Sequence, residues 1–173
     1  MMQLSGLIID SLEFARTGRS LSGVVAVAAL RRLVDLLADD TGELVWSVRG
    51  ELAVDNTGER RSWLTIAIEG GLRLQCQRCL ASMPWHLKVE SRLLLMPPGR
   101  DWPDESLIGF EEGGDADPVE ALAEQVLLDL VEDEVLLALP IAPRHESCVV
   151  PVHDDGRLAA SPFARLAVLK KAH

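Results

Sequence analysis

Three cysteines and one histidine are the residues whose types and spacing best suit a defined chemistry. Cys76-Gln77-Arg78-Cys79 separates two thiols by two residues, the spacing at which a tight turn aims both sulfurs at one ion. The remaining cysteine, Cys148, stands three residues after His145, in a segment opened by Pro143. Cys76, Cys79, His145 and Cys148 together supply the four ligands of a closed tetrahedral zinc site, which is architecture rather than catalysis. Three reduced thiols and a surface histidine are the plain alternative, and His153 is a weaker substitute ligand. A redox dithiol is a third reading of Cys76 and Cys79. It works by depressing one thiol's pKa, often at a helix N-terminus, whereas this motif joins two predicted strands.

The carboxylates suggest binding rather than catalysis. Glu132, Asp133 and Glu134 are consecutive, so on a helix they radiate instead of converging on a substrate. No glycine-rich phosphate loop, nucleophile elbow or zinc-protease helix occurs in the sequence. The chain is read as a non-enzyme with no small-molecule substrate. From Asp101 to Pro143 there are 13 acidic residues and no Lys, Arg or His, which leaves +3 on the rest of a chain whose net charge is −10. Such a region steers cationic partners, and Glu132, Asp133 and Glu134 are its candidate contacts. A solvated acidic face is the bland reading of the same residues.

The net negative charge disfavours a general nucleic-acid binder, which relies on Lys and Arg to neutralise phosphates. A local exception is a basic strip of Arg73, Arg78, His86, Lys88 and Arg92, with Trp46, Trp63 and Trp85 available to stack on bases. The tryptophans fall in the apolar register of their strands, so they are expected in the core.

Those residues require elements to hold them. Leu44, Trp46, Val48, Leu52 and Val54 alternate at period two up to a turn at Asn56, Thr57 and Gly58. A return strand over Trp63–Glu69 follows, with a kink or bulge at Gly70 and Gly71 before Cys76. Trp85, Leu87, Val89, Leu93 and Leu95 then line one face of a further strand, so the pattern predicts an antiparallel meander. Upstream, Asp10 is a candidate cap for an element over Leu7–Phe14, and Ala26, Leu30, Val34 and Leu37 predict an amphipathic helix over Ala26–Leu37. Downstream, Asp117, Pro118 and Glu120 read as a helix start, with Leu122, Val126, Leu130 and Val131 as its stripe and Pro140 as its limit. Ser161 and Pro162 start a short C-terminal helix carrying Phe163, Leu166 and Leu169.

Four stretches then coincide in order. They are Cys76-Gln77-Arg78-Cys79-Leu80, the run from Val131 through Glu132-Asp133-Glu134 to Pro140, His145 with Cys148, and Pro162-Phe163-Ala164-Arg165-Leu166-Ala167-Val168-Leu169-Lys170. In these the chain resembles the YceD family, from about residue 40 to the end. The resemblance implies a role in synthesis, processing or stability of large-subunit (23S) ribosomal RNA, without established catalysis. Phe163 joins Glu132, Asp133 and Glu134 as a candidate partner contact. Some relatives carry cysteines at the positions of His145 and Cys148 and more beyond them, which this chain lacks. Ser161 stands where asparagine is common, a conservative exchange at a cap.

The expectation is one α+β domain over residues 1–173, with an acidic flexible loop at about 99–116. Its antiparallel sheet, able to curl towards a barrel, is covered by two or three helices. The apolar stretch Gly23–Leu30 is too short to cross a bilayer, no basic export signal precedes it, and three cysteines do not make a disulfide framework. A cytoplasmic protein is expected, with a basic ribosomal protein or assembly factor as partner and direct contact with ribosomal RNA as the alternative.

Overall fold

The computed structural model describes residues 4, 6–54, 58–102 and 116–148. Leu44, Trp46 and Val48 of β3 (Glu43–Val54) are fully buried on one face, because consecutive strand side chains leave on opposite sides. β4 (Arg60–Gln75) continues that face with Leu64, Ile66, Ile68, Leu72 and Leu74, and β5 (Ser82–Met96) with Leu87, Val89, Leu93 and Leu95. These strands form the predicted antiparallel meander. β2 (Ser20–Ala26) pairs antiparallel with β3, and β6 (Ala116–Glu120) pairs in parallel with β5. Among the described residues the order β2-β3-β4-β5-β6 has β2 and β6 at its edges, and the sheet does not close into a barrel.

Among the described residues, helices pack on one face of the sheet. α1 (Ser11–Arg16) contributes Phe14 and Ala15 to the core, and α3 (Leu127–Ala138) contributes Leu127, Val131 and Val135. Asp10 caps α1 as expected, accepting the Glu13 N–H at 2.9 Å. The α3 start has no side-chain cap, and its Leu127 N–H donates instead to the Leu7 carbonyl at 3.0 Å. A two-stranded ribbon of β1 (Ile8–Ile9) and β7 (Gln125–Val126) holds these two segments together. On the opposite face Trp63, Leu94 and Met96 make a smaller apolar cluster.

Several expectations are corrected. The helix expected over Ala26–Leu37 is the end of β2, a 3-10 turn at Val27–Ala29 and one turn of helix, α2 (Arg31–Val34). Val27, Leu30 and Leu33 are the residues buried there, at the three-residue period of a 3-10 turn rather than an α-helical stripe. Asp117 and Pro118 do not start a helix but lie in β6, because an edge strand has an unpaired side on which proline's missing N–H loses no ladder bond. Gly70 and Gly71 make no bulge, since pairing with β5 runs unbroken through both, while pairing with β3 ends at Gly70. Instead Gly70 faces the core where an added Cβ would lie 2.6 Å from Leu44 Cδ2 and 2.7 Å from the Glu43 carbonyl oxygen. Leu52 and Val54 are exposed, because the cover over β3 ends near Gly50, on which the Phe14–Ala15 backbone rests. The turn residues at 55–57, most of the acidic segment (103–115), His153, Phe163 and the predicted C-terminal helix lie outside the described residues.

Candidate functional site

The turn between β4 and β5 folds tightly around its own cysteines. Leu80 N–H donates to the Cys76 carbonyl at 2.8 Å and Cys76 N–H to the Ala81 carbonyl at 2.9 Å. Leu80 adopts the left-handed region, with φ of 62°, to complete this knuckle. The segment after α3 docks against it through its backbone, Gln77 N–H donating to the Pro143 carbonyl at 2.8 Å. That contact brings together the two halves predicted from sequence. Cys76 Sγ lies 3.9 Å from Cys148 Sγ, Cys79 Sγ lies 3.4 Å from His145 Nδ1, and all four ligand atoms lie within 4.8 Å of one another.

The electrostatics favour thiolate at Cys76 and oppose it at Cys79. Burial of Cys76 opposes its ionisation, but the backbone N–H groups of Cys79, His145 and Arg78 and the Cys79 side chain outweigh it and hold its pKa down to about 5. The Ala81 backbone N–H favours the Cys79 thiolate, but desolvation and the neighbouring sulfurs of Cys76 and Cys148 push that thiol above its ordinary value. Arg78, assigned to the basic strip from sequence, turns to this cluster. Its Nε donates to Cys148 Sγ at 2.9 Å and its Nη2 to the His145 carbonyl at 3.5 Å. The arrangement is compatible with holding a metal ion.

The acidic triplet on α3 divides by position. Asp133 is exposed, whereas Glu132 is buried, and only 4% of its surface is accessible. Its Oε1 accepts the backbone N–H groups of Arg32 at 2.7 Å and Leu33 at 3.1 Å, and its Oε2 accepts Arg32 Nε at 2.8 Å. Arg32 Nη1 also pairs with Asp133 at 2.6 Å, and Nη2 donates to the Asp129 carbonyl at 3.1 Å. Glu132 thus caps α2 from across the fold, where Leu30 at the N-cap has no side chain able to do so. Burial raises the Glu132 pKa, but the Arg32 side chain and the two backbone N–H groups overcome this and hold it below the usual carboxylate range. The expectation that Glu132 faces a partner is therefore corrected, and Glu134 is also buried. The cap role was missed because its two halves are separated by 100 residues; the one local hint is an apolar residue at a helix start.

The basic strip is interleaved with carboxylates. Arg73 Nε lies 3.8 Å from Asp39, His86 Nε2 lies 3.4 Å from Glu69, and Arg92 Nη2 lies 3.0 Å from Glu51 while its guanidinium sits 4.3 Å from the Trp63 ring centre. Lys88 is placed directly across from Glu69 and two residues from Glu90 on its own strand. Trp46 is buried in the core and Trp85 is half-buried against it, as expected, whereas Trp63 is buried in the smaller cluster on the opposite face.

Among the described residues no helix is long and apolar enough to cross a membrane. No solved structure matches the chain. A family model described as Large ribosomal RNA subunit accumulation protein YceD matches residues 64–170. The match takes in β4 from Leu64 onward, β5, β6, α3 and the whole cysteine–histidine cluster, and it extends over more than half of the sequence. The chain therefore belongs to the YceD family, named for accumulation of large-subunit ribosomal RNA.

Proposed function

We propose that this chain is a cytoplasmic, non-catalytic ribosome-biogenesis factor that supports synthesis, processing or stability of large-subunit ribosomal RNA by docking a basic ribosomal protein or assembly factor. The carrying observation is the acidic region. Asp117, Glu120, Glu124, Asp129 and Asp133 are exposed within a run of sequence that contains no basic residue, and of these Asp133 is paired with Arg32 from outside the run. Asp129 and Asp133 stand four residues apart on α3 and so share a helix face. A cationic partner would be drawn to that surface at long range and held by charge complementarity.

Direct RNA binding through Arg73, Arg78, Lys88 and Arg92 has less support, because carboxylates lie beside the strip and Arg78 is engaged by Cys148. Phosphate binding needs cations that are not already neutralised. A thiol-exchange activity has one favourable observation, the depressed pKa of Cys76, but that sulfur belongs to a residue with no accessible surface. In this reading the cysteine–histidine cluster is part of the architecture.

Affinity capture tests the proposal with a double charge reversal, Asp129→Lys with Asp133→Lys, which leaves the buried Glu132 in place. The unmodified chain is expected to retain a basic large-subunit component that the reversed chain loses. An unchanged captured set from a correctly folded variant would refute the acidic docking surface.

A further inference from the structure

We infer that Cys76, Cys79, His145 and Cys148 bind one zinc ion, with Arg78 as a positioning residue that balances the charge of the site. Zinc bonds of about 2.3 Å to sulfur and about 2.0–2.1 Å to nitrogen give tetrahedral edges of about 3.8 Å between sulfurs and about 3.5 Å between sulfur and nitrogen. The Cys76–Cys148 separation of 3.9 Å and the Cys79–His145 separation of 3.4 Å match those edges. The cluster is also built from the backbone outward. The knuckle at Cys76–Ala81 and the Gln77–Pro143 hydrogen bond bring two distant segments into place without using a ligand side chain.

The ligand set selects the ion. Thiolates with one imidazole favour zinc over the hard cations, and four protein ligands leave no coordination position open to a substrate. Zinc(II) with three thiolates and a neutral histidine carries a net charge of −1, which the Arg78 guanidinium cancels. Its hydrogen bonds to Cys148 Sγ and the His145 carbonyl place that charge on the ligand pair contributed by the strap after α3. The metal would fasten that strap to the sheet. This inference is independent of which partner the acidic surface takes.

The test uses the full chain, reduced and reconstituted with zinc, under native mass spectrometry. One zinc per chain is expected, and cobalt substitution should give the intense visible absorption of a tetrahedral thiolate site. Cys148→Ser and His145→Ala should each alter that cobalt spectrum. Arg78→Ala should keep the stoichiometry but lose about 10- to 100-fold in zinc affinity by chelator competition, with partial recovery in Arg78→Lys. Because a ligand variant can fail to fold, the unmodified chain is decisive. If it is folded by circular dichroism yet stays metal-free in excess zinc, the site is refuted. A cobalt spectrum indifferent to Cys148→Ser would refute this ligand set, and unchanged affinity in Arg78→Ala would remove Arg78 from it.

Discussion

Replacing Glu132 by alanine removes a carboxylate that crosses from α3 to the start of α2. The substitution deletes three accepted hydrogen bonds, two of them from the backbone N–H groups of Arg32 and Leu33. Orphaning a buried donor costs about 1–3 kcal/mol, and losing a helix cap costs about 1 kcal/mol. The two N–H groups share one acceptor oxygen, so their losses overlap. The expected cost of Glu132→Ala at pH 7 is about 2–4 kcal/mol, with little added by the ion pair because Arg32 is half exposed. Glu132→Gln keeps an oxygen for the two backbone donors but sets an amide N–H₂ against Arg32 Nε, and should cost about 1–2 kcal/mol.

Urea denaturation across a pH series separates these contributions. The Glu132 pKa is lowered on folding, so its stabilisation is fully present above the unfolded value of about 4.3 and is lost as pH falls through the lower folded value. The gap between the unmodified chain and Glu132→Gln should therefore be constant from neutral pH down to about 5 and narrow at more acid pH. If Glu132→Gln is as stable as the parent at pH 7, or the gap persists unchanged in strong acid, the cap assignment is wrong.

Gly50→Ala should destabilise by about 1–3 kcal/mol or more, because its Cβ would lie 2.6 Å from the Phe14 carbonyl oxygen and the Ala15 Cα, both backbone atoms. Gly71→Ala, with no atom within 4 Å of the added Cβ, should change thermal stability by no more than about 0.5 kcal/mol. Leu80→Gly removes an exposed side chain from a left-handed backbone and should leave chemical-denaturation stability unchanged or raise it by about 0.5–1 kcal/mol. In metal-free native chain, mass-spectrometric mapping should find Cys79 and Cys148 alkylated before Cys76, because the Cys76 residue is inaccessible despite its lowered pKa.

The sheet was legible because burial on one face imposes a period of two, visible from Leu44 to Val48, from Leu64 to Leu74 and from Leu87 to Leu95. The cysteine–histidine cluster was legible for a related reason: coordination chemistry limits both residue type and spacing, so two short motifs point to each other across the chain. Elements determined by distant partners were not. Asp117-Pro118 carries a genuine local start signal, and only parallel pairing with Arg92–Met96 makes it a strand. Glu132 looked like one of three surface acids, since nothing nearby in sequence reveals that the Arg32 and Leu33 N–H groups lack acceptors. The charge of Arg78 points to the basic strip, whereas its position between two cysteines carries it to Cys148.

The proposed docking role has this YceD-family chain influence ribosomal RNA through a basic protein rather than by touching the nucleic acid itself. Its most direct test is equilibrium binding of the purified full chain, at low and at moderate salt, to protein-free large-subunit ribosomal RNA and in parallel to the isolated basic proteins of that subunit. A salt-sensitive complex with at least one basic protein is expected, with no binding to the naked RNA at either salt concentration. Tight, salt-dependent binding to naked RNA with no complex in the protein arm would contradict it.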